Sequence, residues 1–177
     1  IFKAREFGVE LDPNDPWTRK VLERIKSLEY DGYQFEGAEA SLLLLMHEAR
    51  GTRERYFDLG ETQVTTAMES LSNEDQSPGS STAQLKVSIG SQTYESTAEG
   101  NGPVHAIATA LREPLGKRYP DLANVKLTDY KVRILNKGMG FASTVRVLIR
   151  ATDGRDVWGT VGVSTSVVEA SRQAIVD

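Results

Sequence analysis

One stretch of the sequence leaves few alternatives for its fold. Val145, Val147, Ile149 and Ala151 occupy every second position, and Val157, Gly159, Val161 and Val163 do so again after Asp153-Gly154. Period two sends successive side chains to opposite faces of a strand, so each run can bury one face. Asp-Gly between two such runs is a hairpin turn. A helix follows from about Ser164–Ser166. Ser166 and Glu169 have capping-box spacing, and Val167, Val168, Ser171, Ala174 and Ile175 form its inner face. A hairpin with one apolar face needs a cover, and the helix that follows can supply it.

The same order occurs once before. Residues 56–69 read as a strand, with Val64, Thr66 and Met68 alternating. Leu85, Val87 and Ile89 alternate on the next, Gly90-Ser91 is a turn, and Gln92 to Glu99 returns. Gly100-Asn101-Gly102-Pro103 leads into a helix with Val104, Ile107, Ala108, Leu111 and Leu115 inward, and Pro120 closes the unit. In the second copy a strand over Val125–Leu135 precedes the hairpin. Its apolar parity changes near Asp129, which predicts a register break. Gly90-Ser91 is expected to correspond to Asp153-Gly154. The expectation is an α+β fold: a duplicated β-β-β-α domain over 52–177, with units 52–120 and 121–177, small antiparallel sheets and helices packed on them. Residues 73–81 and 136–140 read as loops, the first of them mobile.

A helical linker arm precedes this domain, over residues 1–51. Gly8 reads as the stop of a first short helix. Asp15-Pro16 reads as a helix cap and first position. Trp17, Val21, Leu22, Ile25 and Leu28 follow at helical spacing, and Tyr30-Asp31-Gly32-Tyr33 breaks it. A second helix is expected with Phe35, Ala38, Leu42, Leu45, Met46 and Ala49 on one face and Gly51 as its stop. Two short helices cannot bury this much apolar surface between themselves. The arm must dock on the rest of the chain, on another domain or on a second subunit. The start at Ile1, without Met or a signal pattern, reads as an excised piece of a larger protein.

Composition removes whole classes of chemistry. There is no cysteine, so thiolate chemistry and sulfur-bound metals are excluded. The two histidines, His47 and His105, lie in separate segments without a metal-ligand partner nearby in sequence, so no metal and no catalytic residue are expected. A net charge of −4, with basic residues interspersed among acids, argues against a nucleic-acid partner. No run is long enough to cross a bilayer, so no membrane partner is expected. Gly100, Asn101, Gly102 and Pro103 remain the most distinctive feature. Glycines permit close approach, and a helix start offers free N–H groups to a carboxylate. The bland alternative is a plain turn into a helix, with Asn101 or Gly102 as its cap. Gly162, Val163 and Ser164 begin the second helix in the same way. Two such helix starts suit a small anion such as an amino acid, resting on Ala98, Val104, Val161 and Val163.

Gly32–Ser41, Ala98–Val104, Leu127–Val132 and Trp158–Ser164 together resemble the C-terminal part of the citramalate synthases, relatives of 2-isopropylmalate and homocitrate synthases. The resemblance covers essentially the whole chain. It implies the linker and regulatory domain of an acyltransferase whose separate TIM barrel, with a divalent metal, condenses acetyl-CoA with a 2-oxo acid. In citramalate synthesis that acid is pyruvate, on the route to isoleucine. It further implies a cytoplasmic homodimer that binds a branched-chain amino acid at Gly100, Asn101, Gly102, Pro103, Gly162, Val163 and Ser164, needs no cofactor itself and carries no catalysis. Isoleucine is the expected effector. Leucine, with a 2-isopropylmalate synthase as parent, is the alternative, and so is a structural dimerisation module without ligand.

Overall fold

Helix α1 runs from Pro16 to Tyr30 and α2 from Glu39 to Arg50. They are part of a computed structural model that describes residues 15–68, 79–135 and 143–177. The expected helix stop at Gly8, the greater part of the 73–81 loop and the 136–140 loop lie outside the described residues. Proline at the first position starts α1, whose fixed φ suits a helix and whose missing N–H is not needed there. Gly51, at φ 73°, stops α2 in the left-handed region that glycine adopts without penalty. The second helix begins later than its apolar spacing suggests. Phe35 is buried but precedes it, because Gly37 turns the chain at φ 80° and Ala38 caps the helix.

Two three-stranded antiparallel sheets follow. Strands β1 (Asp58–Thr66), β2 (Ser81–Ile89) and β3 (Gln92–Gly100) lie in that order, and helix α3 (Pro103–Arg118) covers them. A short 3-10 turn (Pro120–Asn124) leads to β4 (Lys126–Ile134), β5 (Val145–Thr152) and β6 (Val157–Ser164), then α4 (Val167–Val176). The architecture is the duplicated α+β fold with small antiparallel sheets and helices.

The ladders define how the copies correspond. Ser81 pairs with Gly100, and Val145 with Ser164, so the hairpins and their helices correspond at a spacing of 64 residues. The turn Gly90-Ser91 therefore matches Gly154-Arg155 and not Asp153-Gly154. The second connection is longer, with four residues between β5 and β6. Asp153 closes it by accepting the N–H groups of Arg155 and Asp156, both at 2.8 Å. Both first strands carry a bulge at the same place, between Leu59 and Thr62 and between Leu127 and Asp129. The parity change near Asp129 had this cause.

The described parts of 1–54 and 126–177 form one compact unit, and those of 55–125 form another. In the first, Val147 and Ile149 face α4, burying Ala170 and Ala174. Leu148 between them faces the other way, and with Val161 and Val163 on the same face of β6 it meets the arm. There they join Val21, Phe35, Ala38, Leu42 and Met46 in one core. The arm thus docks on the rest of the chain, against the second sheet. In the other unit, Ala83, Leu85 and Val87 form the sheet's buried row, and Ala106, Ile107, Ala110 and Leu111 are the buried face of α3.

Candidate functional site

The two helix starts differ despite their common origin. At α3, Gly102 occupies the cap with extended backbone (φ 177°) and contributes no side-chain hydrogen bond. Pro103 has no N–H to offer. The Asn101 N–H donates to Nδ1 of His105 at 3.2 Å, so this histidine turns back over the start of its own helix. Space beside the Gly102 Cα is open. Gly100 is different: a Cβ there would run into the backbone of Ala106. Its glycine is explained by how closely β3 approaches α3.

At α4 one helix N–H is capped by a side chain of the chain itself. The Ser166 hydroxyl accepts from Glu169 N–H at 3.4 Å, and Ser166 N–H donates to Ser164 Oγ at 3.1 Å. This is half of a capping box, because the Glu169 carboxylate turns instead to Arg172 (2.7 and 2.9 Å) and Gln173 (3.2 Å). The Arg172 hydrogen bonds hold Glu169 below the usual carboxylate range. Gly162 faces α4, where a Cβ would enter the Ala170 carbonyl. Val163 faces the arm, with its N–H on Gln173 Oε1 at 3.0 Å. Gly162, Val163 and Ser164 therefore do not converge on one point. By the ladder, the counterpart of Gly100 is Ser164, and the counterpart of Gly102 is Ser166.

Sequence reasoning missed the polar seam that fastens the arm. Strand β6 is an edge strand, and its outward N–H groups need acceptors. Ser41 accepts Val161 N–H at 3.0 Å and donates to the Asp177 carboxylate at 2.7 Å. Burial raises the Asp177 pKa, against the opposing pull of Ser41 and Arg53. Tyr33 OH donates to Gln173 Oε1 at 3.2 Å, and burial raises its pKa too. Single polar residues on otherwise apolar faces, Ser41 and Gln173, were the signal that could have revealed this seam. Among the described residues, no group of three His, Asp or Glu side chains could hold a metal ion. No helix among them is long and apolar enough to cross a membrane.

A duplicated β-β-β-α domain, with one glycine-capped and one serine-capped helix start, is the class the fold defines. Within that class, residues 36–177 match the family described as the LeuA allosteric (dimerisation) domain. The chain belongs to this family. It is 49% identical over its full 177 residues to an (R)-citramalate synthase of Geobacter sulfurreducens, covering 33% of that protein. It is 44% identical over 177 residues to an (R)-citramalate synthase of Aquifex aeolicus, again covering 33%. A 2-isopropylmalate synthase of Shewanella halifaxensis is 30% identical over 133 residues, or 75% of this chain and 22% of that protein. The chain spans about a third of the length of the citramalate synthases it matches.

Proposed function

We propose that this chain is the dimerisation and effector-sensing part of a citramalate synthase, and that its effector is isoleucine. One observation carries the choice of parent. Identity to the citramalate synthases is higher and runs the whole chain, arm included, whereas the 2-isopropylmalate synthase match is lower and partial. The parent would condense acetyl-CoA with pyruvate on a separate barrel, and the arm would carry the sensor's state toward it. Such control requires that the effector bind two arrangements with unequal affinity.

The α3 start supports the effector reading better than the α4 start. Its glycine cap leaves helix N–H groups without a side-chain acceptor, and a helix N-terminus favours a carboxylate. Gly100, Asn101, Gly102 and Pro103 would shape this site. Ser164, with Gly162 and Val163 behind it, would line the second start only if its internal hydrogen bonds yield. Titration calorimetry with isoleucine, leucine and valine tests the proposal. Saturable binding with isoleucine preferred supports it. A preference for leucine would transfer the chain to a 2-isopropylmalate parent, and no binding to a folded dimer would leave a structural module.

A further inference from the structure

The β4–β5 hairpin carries an imbalance of charge that the arm and the helix-start site do not use. From Tyr130 to Arg150 the sequence has five basic residues and no acid, in a chain of net charge −4. Sequence reading treated the basic residues as interspersed with acids, and here they are not. The ladder pairs Arg133 with Arg146, Lys131 with Leu148 and Asp129 with Arg150. Cross-strand partners share a face, and Leu148 belongs to the arm-side face. Lys131, Arg133, Arg146 and Arg150 therefore stand together beside the arm. Asp129 lies at the far end of this row and is engaged by Lys131 at 2.6 Å.

Arg133 and Arg146 are left opposite one another. Like charges directly across a ladder destabilise it. Arg146 donates from Nη1 to the Gly32 carbonyl at 2.9 Å, at the elbow after α1. Its Nε is enclosed and has no hydrogen-bond partner among the described residues. Burial, first, and the Arg133 charge both lower the Arg146 pKa. A repulsive pair is a poor choice for stability alone, but two guanidiniums paired across a ladder suit an oxyanion held on their outer N–H groups.

We infer that Arg133 and Arg146 form an oxyanion site at the elbow of the arm, separate from the helix starts, that takes a carboxylate or phosphate group. The group can come from a small anion in solution or from an acidic side chain of a second copy of this chain. The chemistry is the same, and the test separates the two sources. Binding would cancel the repulsion and brace the Arg146–Gly32 contact, and so would tighten the arm.

The test is a melting and binding series on the chain, with inorganic phosphate and succinate as probes, for wild type, Arg133→Gln and Arg146→Lys. In anion-poor buffer, Arg133→Gln should melt above wild type, because a like charge is gone. In saturating probe that order should reverse. Probe affinity should fall about tenfold or more in Arg133→Gln and weaken with salt. Arg146→Lys keeps the charge but loses the fork, and should bind more weakly than wild type. A second copy as the source would show instead as a concentration-dependent mass that drops in Arg133→Gln. No crossover in melting, together with no saturable probe binding and no change of mass, would overturn the inference. So would undiminished binding in Arg133→Gln.

Discussion

A single hydroxyl in each copy shows how closely the duplication was preserved. Ser96 Oγ donates to the Ala110 carbonyl at 2.7 Å, and Thr160 Oγ1 donates to the Ala174 carbonyl at 2.6 Å. Both pairs are 14 residues apart and correspond by the ladder. The reason is physical in each case. Pro114 lies inside α3 and has no N–H for the carbonyl four residues back, which is that of Ala110. Ala174 lies in the last turn of α4, where carbonyls lack a helical donor. Removing the Ser96 hydroxyl should leave a buried acceptor empty, so Ser96→Ala should cost about 1–3 kcal/mol in urea unfolding. Pro114→Ala restores an N–H and should remove most of that cost in the double variant; additive losses would refute the assignment. The glycines separate in the same way. Gly162→Ala should destabilise by about 1–3 kcal/mol through overpacking against Ala170. Gly102→Leu meets open space and extended backbone and loses only the glycine cap, so it should cost less than Gly162→Ala, under about 1 kcal/mol.

At the scale of elements, the arm depends on the seam along β6. Ser41→Ala removes both an acceptor for the buried Val161 N–H and a donor to a partly buried carboxylate, so a loss of about 1–3 kcal/mol is expected, read by urea unfolding. Helix α4 supplies a pH dependence. Glu169 is held below its ordinary value of 4.5 by Arg172. A depressed folded pKa contributes stability above the unfolded value and loses it as pH falls through the folded one. Wild type should therefore lose more stability than Glu169→Gln as pH drops below 4.5, and parallel acid profiles would contradict this. Much at this scale was legible in the sequence: the hairpins, the bulge near Asp129, the Gly51 stop and the arm's need for a partner. These follow from local period and turn chemistry. The late start of α2 was not, because the Gly37 turn overrides apolar spacing that reads as helix from Phe35. Nor was the seam, since a serine among leucines acquires meaning only once its neighbour is a strand edge.

For the whole molecule, the order of elements revealed the duplication but not the spacing of 64 residues, because Asp153-Gly154 reads as a complete two-residue turn but is the first half of a four-residue connection, and only the ladder fixes equivalence. By that spacing Gly162 corresponds to Ala98 and not to a residue of the first helix start, so grouping it with Gly100–Pro103 mixed glycines that pack with a glycine that leaves space. The proposed dimer needs an exposed apolar face, and the second sheet has one. Val132 and Ile134, on the α4 side of β4, are exposed, Ile134 to 61%. Ile134→Glu should lower the mass seen by sedimentation while leaving the circular dichroism spectrum intact; an unchanged mass would put the interface elsewhere.

The most direct measurement is calorimetric titration of isoleucine into wild type and Gly102→Leu side by side. Saturable binding to wild type, lost or much weakened in a variant that stays folded, is the expected result. Equal affinity in the two, or no binding to a folded wild-type dimer, would contradict the sensing role assigned to the α3 start.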